Sequence, residues 1–493
     1  MVTAKSKPTI LTNDANEVAG NWEISLPEGA DTIEDTDAIK IEVGTGDGYC
    51  ATTDTGIGFA ALPTIPATFG VGALSGTCNE ILTINLANDF EAGDEALIEN
   101  VRYKVAVKAK PGAVVVSVDD EAAVGAASNA ILARVDQPYA GSVRFDTAAK
   151  IALDAYGKDT VDTCVAARRV IVASGADANF PDALAASALA GKRNVPILLV
   201  NPTLPIPTQT LDAIDKLGVQ NITVVGGSAA VTSEVFNALD GREIRACGGG
   251  DLDGSATIHV ERMGGAVRYD TSRLIADAVG AGNFDNFVAG ECDPVKTVLM
   301  VSGVNYPDAL AIGPLAARGS SGCGADSGQL PILLTAPGEL SAATQEALTA
   351  LAPKQVIIIG GTAAVSQTTE NAVLAHAAVE NVERIAGDIR EETAAEIAKV
   401  LINPNLGGFS ATRAFVTTGR NFPDALAIGP IAGANEAPIV LTTNSSTLGE
   451  DGTATLNDNL SILHASLVGG TTVLTNSVRN AVGVAFTSRP STP

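Results

Sequence analysis

Asn179-Phe180-Pro181-Asp182-Ala183-Leu184-Ala185 recurs as Asn305-Tyr306-Pro307-Asp308-Ala309-Leu310-Ala311 and again as Asn421-Phe422-Pro423-Asp424-Ala425-Leu426-Ala427. Each copy follows an apolar run that ends in Ser-Gly or Thr-Gly (170–175, 298–303, 415–419) and precedes a second apolar run behind a proline (196–200, 331–334, 438–441). Short apolar runs bounded by Gly and Pro read as buried strands, so the unit is strand, turn, helix, strand. A later strand ends in a second device, Gly226-Gly227-Ser228, Gly360-Gly361-Thr362 and Gly469-Gly470-Thr471, with helical sequence behind it. An earlier helix begins near Arg144, Arg268 and Arg390, which stand 124 and 122 residues apart. Near-equal spacing over several devices means that one small α/β domain is encoded three times, beginning near residue 140.

Ahead of the repeats the periodicity changes. Trp22, Ile24 and Leu26 alternate with polar residues, as do Leu82, Ile84 and Leu86, and Tyr103, Val105 and Val107. Period-two alternation separated by Gly- and Pro-bearing turns predicts half-buried strands, and a β-sandwich between Trp22 and Val118. The expected architecture is therefore α/β and β: a sandwich domain over 1–137, then α/β repeats over 138–250, 251–383 and 384–493.

The 493 residues, 46% of them hydrophobic, are enough for several cores. A net charge of −25 argues against nucleic acid and against an anionic membrane surface, since both need a basic face. The acid is concentrated in front, with a balance of −13 in residues 1–140 against −12 in the other 353. No apolar run is long enough to span a bilayer, and neither end carries a hydrophobic anchor, so retention at a surface would come from binding. Cysteines fall in pairs within units, Cys50 with Cys78, Cys164 with Cys247 and Cys292 with Cys323, which suits disulfides of an oxidising compartment and a secreted chain. Six cysteines permit fifteen pairings, and six buried free thiols are the alternative. Zinc is disfavoured, because there is no Cys-x-x-Cys and the three histidines lie beside no cysteine.

The repeated devices fall where open α/β sheets place ligands, beyond the carboxyl ends of strands. Proline suits a first helical turn, aspartate suits its positive end, and asparagine can cap, so helix initiation alone explains much of the heptapeptide. The Gly-Gly turns could expose backbone amides to a phosphate, sulfate or carboxylate. The arginines could add a charged fork, or each could pair with a carboxylate at its domain edge. No Gly-Lys-Ser/Thr follows the glycines and no Gly-x-Ser-x-Gly occurs, which removes phosphate-loop and serine-hydrolase readings. His259, His376 and His464 occupy non-equivalent places in the repeats, so they form no repeated site. Asp251-Leu252-Asp253-Gly254 hints at calcium, but its glycine comes too early for an EF-hand, so no cofactor is expected and calcium has no motif behind it.

In order and three times over, these motifs resemble the cell wall binding type 2 repeat family of bacterial surface proteins. The resemblance covers about residues 138–490. It implies a Toprim- or Rossmann-like module, three of which pack as a pseudo-threefold trimer and attach the chain non-covalently to an anionic cell-wall polymer. The implied ligand contacts are Asn179, Asp182, Asn305, Asp308, Asn421 and Asp424. Arg144, Arg268, Arg390 and the glycines Gly226, Gly227, Gly360, Gly361, Gly469 and Gly470 stand near them. The family pattern has an arginine ahead of each anchor, present as Arg262 and Arg384 but replaced by Pro138, and its aromatic after the anchor becomes Glu391 in the third copy. The expectation is a non-enzymatic surface protein whose sandwich mediates adhesion or self-assembly, as in a surface layer or filament. The competing readings are a metal-assisted hydrolase using the repeated aspartates and a soluble small-ligand receptor.

Overall fold

The computed structural model describes residues 133–156, 169–245, 252–287, 293–305, 307–320, 328–420 and 423–487, together with short strands between residues 2 and 118. The chain divides into two compact units. One comprises Met1–Gln137, Leu456–Ser466 and Asn476–Pro493; the other comprises Pro138–Thr455 and Leu467–Thr475.

In the first unit, Trp22–Ser25, Ile81–Leu86 and Arg102–Val105 are strands, as their alternation predicts. Ile81–Leu86 pairs antiparallel with Ala38–Val43, placing Ile84 opposite Ile39 and Leu82 opposite Ile41. Thr9–Leu11 runs parallel to Ala133–Val135, and the helix Asn476–Thr487 packs on it.

The second unit carries the first two repeats and most of the third, whose segments Leu456–Ser466 and Asn476–Pro493 fall in the first unit. In the first repeat, the strand Arg169–Ser174 lies between Ile197–Val200 and Asn221–Val225, all parallel, with His259–Met263 beyond. Parallel strands covered on both faces need continuous apolar sequence, and Val170, Val172, Leu198, Val200, Ile222 and Val224 are all buried in one core. The second repeat repeats this order with Pro294–Ser302, Ile332–Thr335, Gln355–Ile359 and Asn381–Ile385, and adds an antiparallel strand, Gly282–Asp285. In the third, Arg413–Thr418 pairs parallel with Ile439–Thr442. Thus the strand holding Arg262 or Arg384 completes the sheet of the preceding repeat.

The helix behind each heptapeptide is buried along most of its length. Phe180–Arg193 and Pro423–Ala434 are continuous, whereas the second copy opens as a 3₁₀ turn, Pro307–Ala309, and becomes α-helical only over Gly313–Arg318. This departs from the expected triplicate helix, and Pro314 does not account for it, because Pro430 holds the equivalent position inside the continuous third helix. The three helices pack on one another pairwise. Ser187, Gly313 and Gly429, equivalent positions of the three copies, meet there: a Cβ on Gly313 would lie 2.9 Å from the Gly429 Cα. One turn on, a Cβ on Gly191 would collide with the Ala317 carbonyl. The small residues are what let three helix backbones approach this closely.

Candidate functional site

Each repeated aspartate ends up beside the Gly-Gly turn of its own repeat and the lead helix of the next. Asp182 lies against Gly226, with the Thr271 hydroxyl bonded to it and the charge of Arg268 nearby. Asp308 lies against Gly360, near Arg390 and Glu391. Asp424 lies against Gly469, bonded by Thr147 and near Arg144, so the third repeat closes onto the first. The helix contacts follow the same cycle: Phe180–Arg193 on Arg268–Val279, Pro307–Ala309 on Arg390–Ile402, and Pro423–Ala434 on Arg144–Tyr156. These are three junctions rather than three intra-repeat sites.

The first glycine of each pair is required by conformation and by space. Gly226, Gly360 and Gly469 have φ of 110°, 103° and 125°, and a Cβ would come within 2.7–2.8 Å of the aspartate Oδ2. Their amides are not bare. Gly226 donates to the Met263 carbonyl at 2.9 Å, Gly360 to Ile385 at 2.9 Å and Gly469 to Tyr139 at 3.2 Å. Tyr139 thus does for the third junction what the strands after the first and second repeats do for theirs. Gly227 and Gly470 leave room for the Gly265 and Gly141 carbonyls of the neighbouring turn, while Gly361 is far less crowded.

The arginines are clamps within their own repeats. Arg144 donates to the Gly175 carbonyl and pairs with Asp177 at 2.7 Å; Arg268 donates to Gly303, and Arg390 to Gly419 at 2.6 Å. The earlier arginines hold the other side, Arg262 on the Gly226 carbonyl at 2.8 Å and Arg384 on Gly360 at 2.6 Å. The asparagine does not cap. Asn179 precedes the helix without bonding its amides, and its Nδ2 instead donates to Ser174 Oγ at 3.0 Å and to the Ala230 carbonyl at 3.4 Å. The backbone amide of Asn305 donates to Ser302 Oγ, and Asn305 is exposed. Asn421 lies outside the described residues, as do Tyr306 and Phe422. Phe180 is buried, with the Arg268 guanidinium 5.9 Å from its ring centroid, so packing accounts for this aromatic.

Burial makes these aspartates unusual. Asp182 is 7% exposed and Asp424 5%, and Oδ1 of each has no hydrogen-bond partner within the protein. Desolvation drives the Asp424 carboxyl up to about 6, against the opposing pull of Thr147 and Arg144. Burial raises Asp182 too, opposed by Thr271 and Arg268. At Asp308 burial again raises the pKa, Arg390 lowers it, and Glu391 raises it. Beside the third junction a cavity of about 290 Å³ is lined by residues that include Val143, Arg144, Phe145, Thr147, Asp424 and Gly470.

Two features escaped the sequence reading. The threonines Thr147 and Thr271 bond the aspartate of the preceding repeat, a contact visible only once the cycle is known. The residue before each anchor arginine is an exposed β-branched aliphatic: Val143, Val267 and Ile389 are 47%, 54% and 52% exposed. Its signal was the threefold recurrence of a bulky apolar side chain at a helix start.

The calcium-like stretch folds otherwise, because Leu252–Thr257 is a strand paired with Glu243–Arg245. Among the described residues, no group of three or more His, Cys, Asp or Glu is arranged to hold a metal ion. No helix among them is long and apolar enough to cross a membrane. The proposed bridges of Cys50 with Cys78, Cys164 with Cys247 and Cys292 with Cys323 involve side chains outside the described residues.

The family profile described as Cell wall binding domain 2 (CWB2) matches residues 139–236, 262–370 and 384–479, more than half of the chain. The chain belongs to that family. Each matched segment opens at or close to the strand that completes the preceding sheet, so the CWB2 repeat carries one half of two junctions. Among curated relatives, the chain is similar to the N-acetylmuramoyl-L-alanine amidase LytC of Bacillus subtilis (strain 168), 25% identical over 340 residues, which are 69% of this chain and 56% of that protein. It is also similar to the Amidase enhancer of the same organism, 28% identical over 239 residues, 48% of this chain and 28% of that protein. The chain therefore spans about half or less of the length of these relatives. Among solved structures, Cwp8 from Clostridium difficile is similar with a TM-score of 0.53 at 24% identity, covering 71% of this chain and 51% of that one. Cwp6 from Clostridium difficile is similar with a TM-score of 0.57 at 17% identity, covering 100% and 68%. At these identities the two structures speak for the fold alone.

Proposed function

We propose that this chain is a secreted bacterial surface protein held non-covalently on an anionic secondary cell-wall polymer by its three CWB2 repeats. They are arranged as Toprim-like modules about a pseudo-threefold axis, and the segment 1–137 forms a β-sandwich that mediates adhesion or assembly, for instance as a surface-layer or filament subunit. The observation that carries the reading is the cyclic set of junctions. Each brings together an arginine, a helix N-terminus and an aspartate from two repeats, buried in two cases and half-buried at Asp308, which suits a polymer engaged at more than one place. The candidate contacts are the side chains of Asn179, Asp182, Asn305, Asp308, Asn421, Asp424, Arg144, Arg268 and Arg390, with the Gly226–Gly227, Gly360–Gly361 and Gly469–Gly470 turns.

The net charge of −25 does not oppose an anionic ligand as strongly as it first suggests, because about half of it sits ahead of residue 141. Local positive ends of helices and the five clamp arginines set the potential at the junctions themselves. The amidase activity in the name of LytC belongs to that protein, of which this chain covers only part. Incubation of the full chain with washed cell walls tests the reading. Saturable, salt-sensitive sedimentation without release of soluble wall products is expected; protein left in the supernatant, or turnover that disappears in Asp308→Ala, overturns it.

A further inference from the structure

One strand edge in the second repeat is open where its counterparts are closed. Asn381–Ile385, His259–Met263 and Ala133–Tyr139 hold the same place: each carries, at Ile385, Met263 and Tyr139, the carbonyl that accepts from the first glycine of a Gly-Gly turn. In a parallel strand, alternate residues bond to opposite sides. Asn381 donates to the Lys354 carbonyl at 3.0 Å and Ile385 accepts from Gly360 at 2.9 Å, so Asn381, Glu383 and Ile385 bond into the sheet. Val382 and Arg384 therefore turn their backbone amides and carbonyls outward.

The counterparts are closed on that side. In the first repeat Ile258 exchanges backbone bonds with Gly241 and Arg242, and the Val260 amide donates to Asp240 Oδ1 at 3.0 Å. Ala133–Val135 pairs with Thr9–Leu11, and the outward place beside Tyr139 is Pro138, which has no amide to offer. Among the described residues no strand pairs with the outer side of Asn381–Ile385, and nothing bonds the outward backbone groups of Val382 and Arg384. An unpaired row of this kind is a template for another strand unless charge blunts it. Here the Arg384 guanidinium is turned back onto Glu370 and the Gly360 and Val365 carbonyls, and Glu380 is held by Lys354.

We propose that this edge pairs with the same edge of a second copy of the chain, antiparallel about a twofold axis through Glu383. In that register Val382 of each copy lies opposite Arg384 of the other, and the outward amides and carbonyls of both residues are satisfied. The strand is then its own complement, as a twofold interface requires. The same register sets the 374–380 end of one copy against the 386–389 end of the other, which brings the exposed Leu374 and Ile389, 51% and 52% exposed, to the same end of the ladder. Two Glu383 side chains face each other across the axis, and their like charge limits the affinity. The inference stands apart from wall attachment, and it locates an assembly surface on a repeat rather than on the segment 1–137.

The test sediments the full chain over a concentration series without wall polymer, and follows hydrogen exchange at low and high concentration. A monomer–dimer equilibrium with a dissociation constant of about 10–100 μM is expected for so short a ladder, with peptides spanning residues 380–386 gaining protection on association. Val382→Pro removes an outward amide that the monomer leaves unbonded, and should weaken the dimer about tenfold or more. Glu383→Gln removes the like-charge pair and should tighten it about threefold, a gain that no folding defect mimics. A chain that stays monomeric throughout overturns the proposal. So does a dimer that is equally stable in both variants, or one whose protection lies outside 380–386. Sedimentation with washed walls is read separately, so either result leaves the attachment reading to its own test.

Discussion

The first-to-second and second-to-third junctions are built from nearly the same heptapeptide and the same Gly-Gly pair, yet they differ in the residue after the anchor arginine. At the former it is Tyr269, whose ring lies against Gly303; at the latter it is Glu391, whose Oε1 lies against Gly419. Glu391 is 5% exposed, its Oε1 has no hydrogen-bond partner in the protein, and it adds negative charge beside Asp308. The aromatic therefore serves to fill space above its own strand end. Replacing it with a carboxylate keeps the packing position and changes the electrostatics of the neighbour's aspartate. Equal backbone devices do not make equal sites.

The close approach of the central helices offers the largest way to break the comparison. Gly191→Ala puts a Cβ into the Ala317 carbonyl, between the first and second central helices, and should cost about 3 kcal/mol in chemical denaturation. A small change there would mean that the three helices are not packed as described.

The next effect is read by pH at the third junction. Asp424 titrates near 6 in the folded chain against 3.8 as its ordinary value, so the folded state binds a proton that the unfolded state has released between those values. Its contribution is fully present below pH 3.8 and is lost as pH rises through about 6, roughly 2–3 kcal/mol. Asp424→Asn should flatten this part of the stability profile, measured as the denaturation midpoint between pH 4 and pH 7 set on either side of the folded value. A slope unchanged in Asp424→Asn would contradict the burial argument.

A third change sharpens the comparison by erasing it. Glu391→Phe restores the aromatic of the other repeats, removes a buried unpartnered carboxylate and should stabilise the chain by about 1–2 kcal/mol at neutral pH. It should also lower the Asp308 pKa, since one cause of its elevation is gone, and carbon-detected carboxyl titration by NMR reads that shift. The smallest effect is Asn179→Ala, which loses the ties to Ser174 and Ala230 for about 1 kcal/mol and leaves the helix start in place.

The repeated strands were legible because parallel strands covered on both faces demand apolar runs, and the runs at 170–175, 298–303 and 415–419 meet that demand. The junctions were not, because a heptapeptide shows which aspartate sits at a helix start but not which other repeat faces it. Asp424 reaches Thr147 across 277 positions of sequence, and only the closing of the third repeat onto the first brings them together. The role of asparagine was misjudged for a related reason: capping is a local expectation, whereas Asn179 bonds Ala230, 51 residues away. The exposed Val143, Val267 and Ile389 were passed over because an apolar residue beside a helix start usually packs, and here it does not.

The central claim is that three junctions act together on one polymer. The most direct measurement compares the affinity of the full chain for long purified wall polymer with that for its short oligosaccharides, at one salt concentration. Engagement at several junctions predicts tighter binding of the long polymer by about 100-fold or more per mole of protein, collapsing toward the short-chain value when Asp182, Asp308 and Asp424 are all changed to Asn. Equal affinity for long and short chains, or a folded triple variant that binds the long polymer as the wild type does, would contradict it.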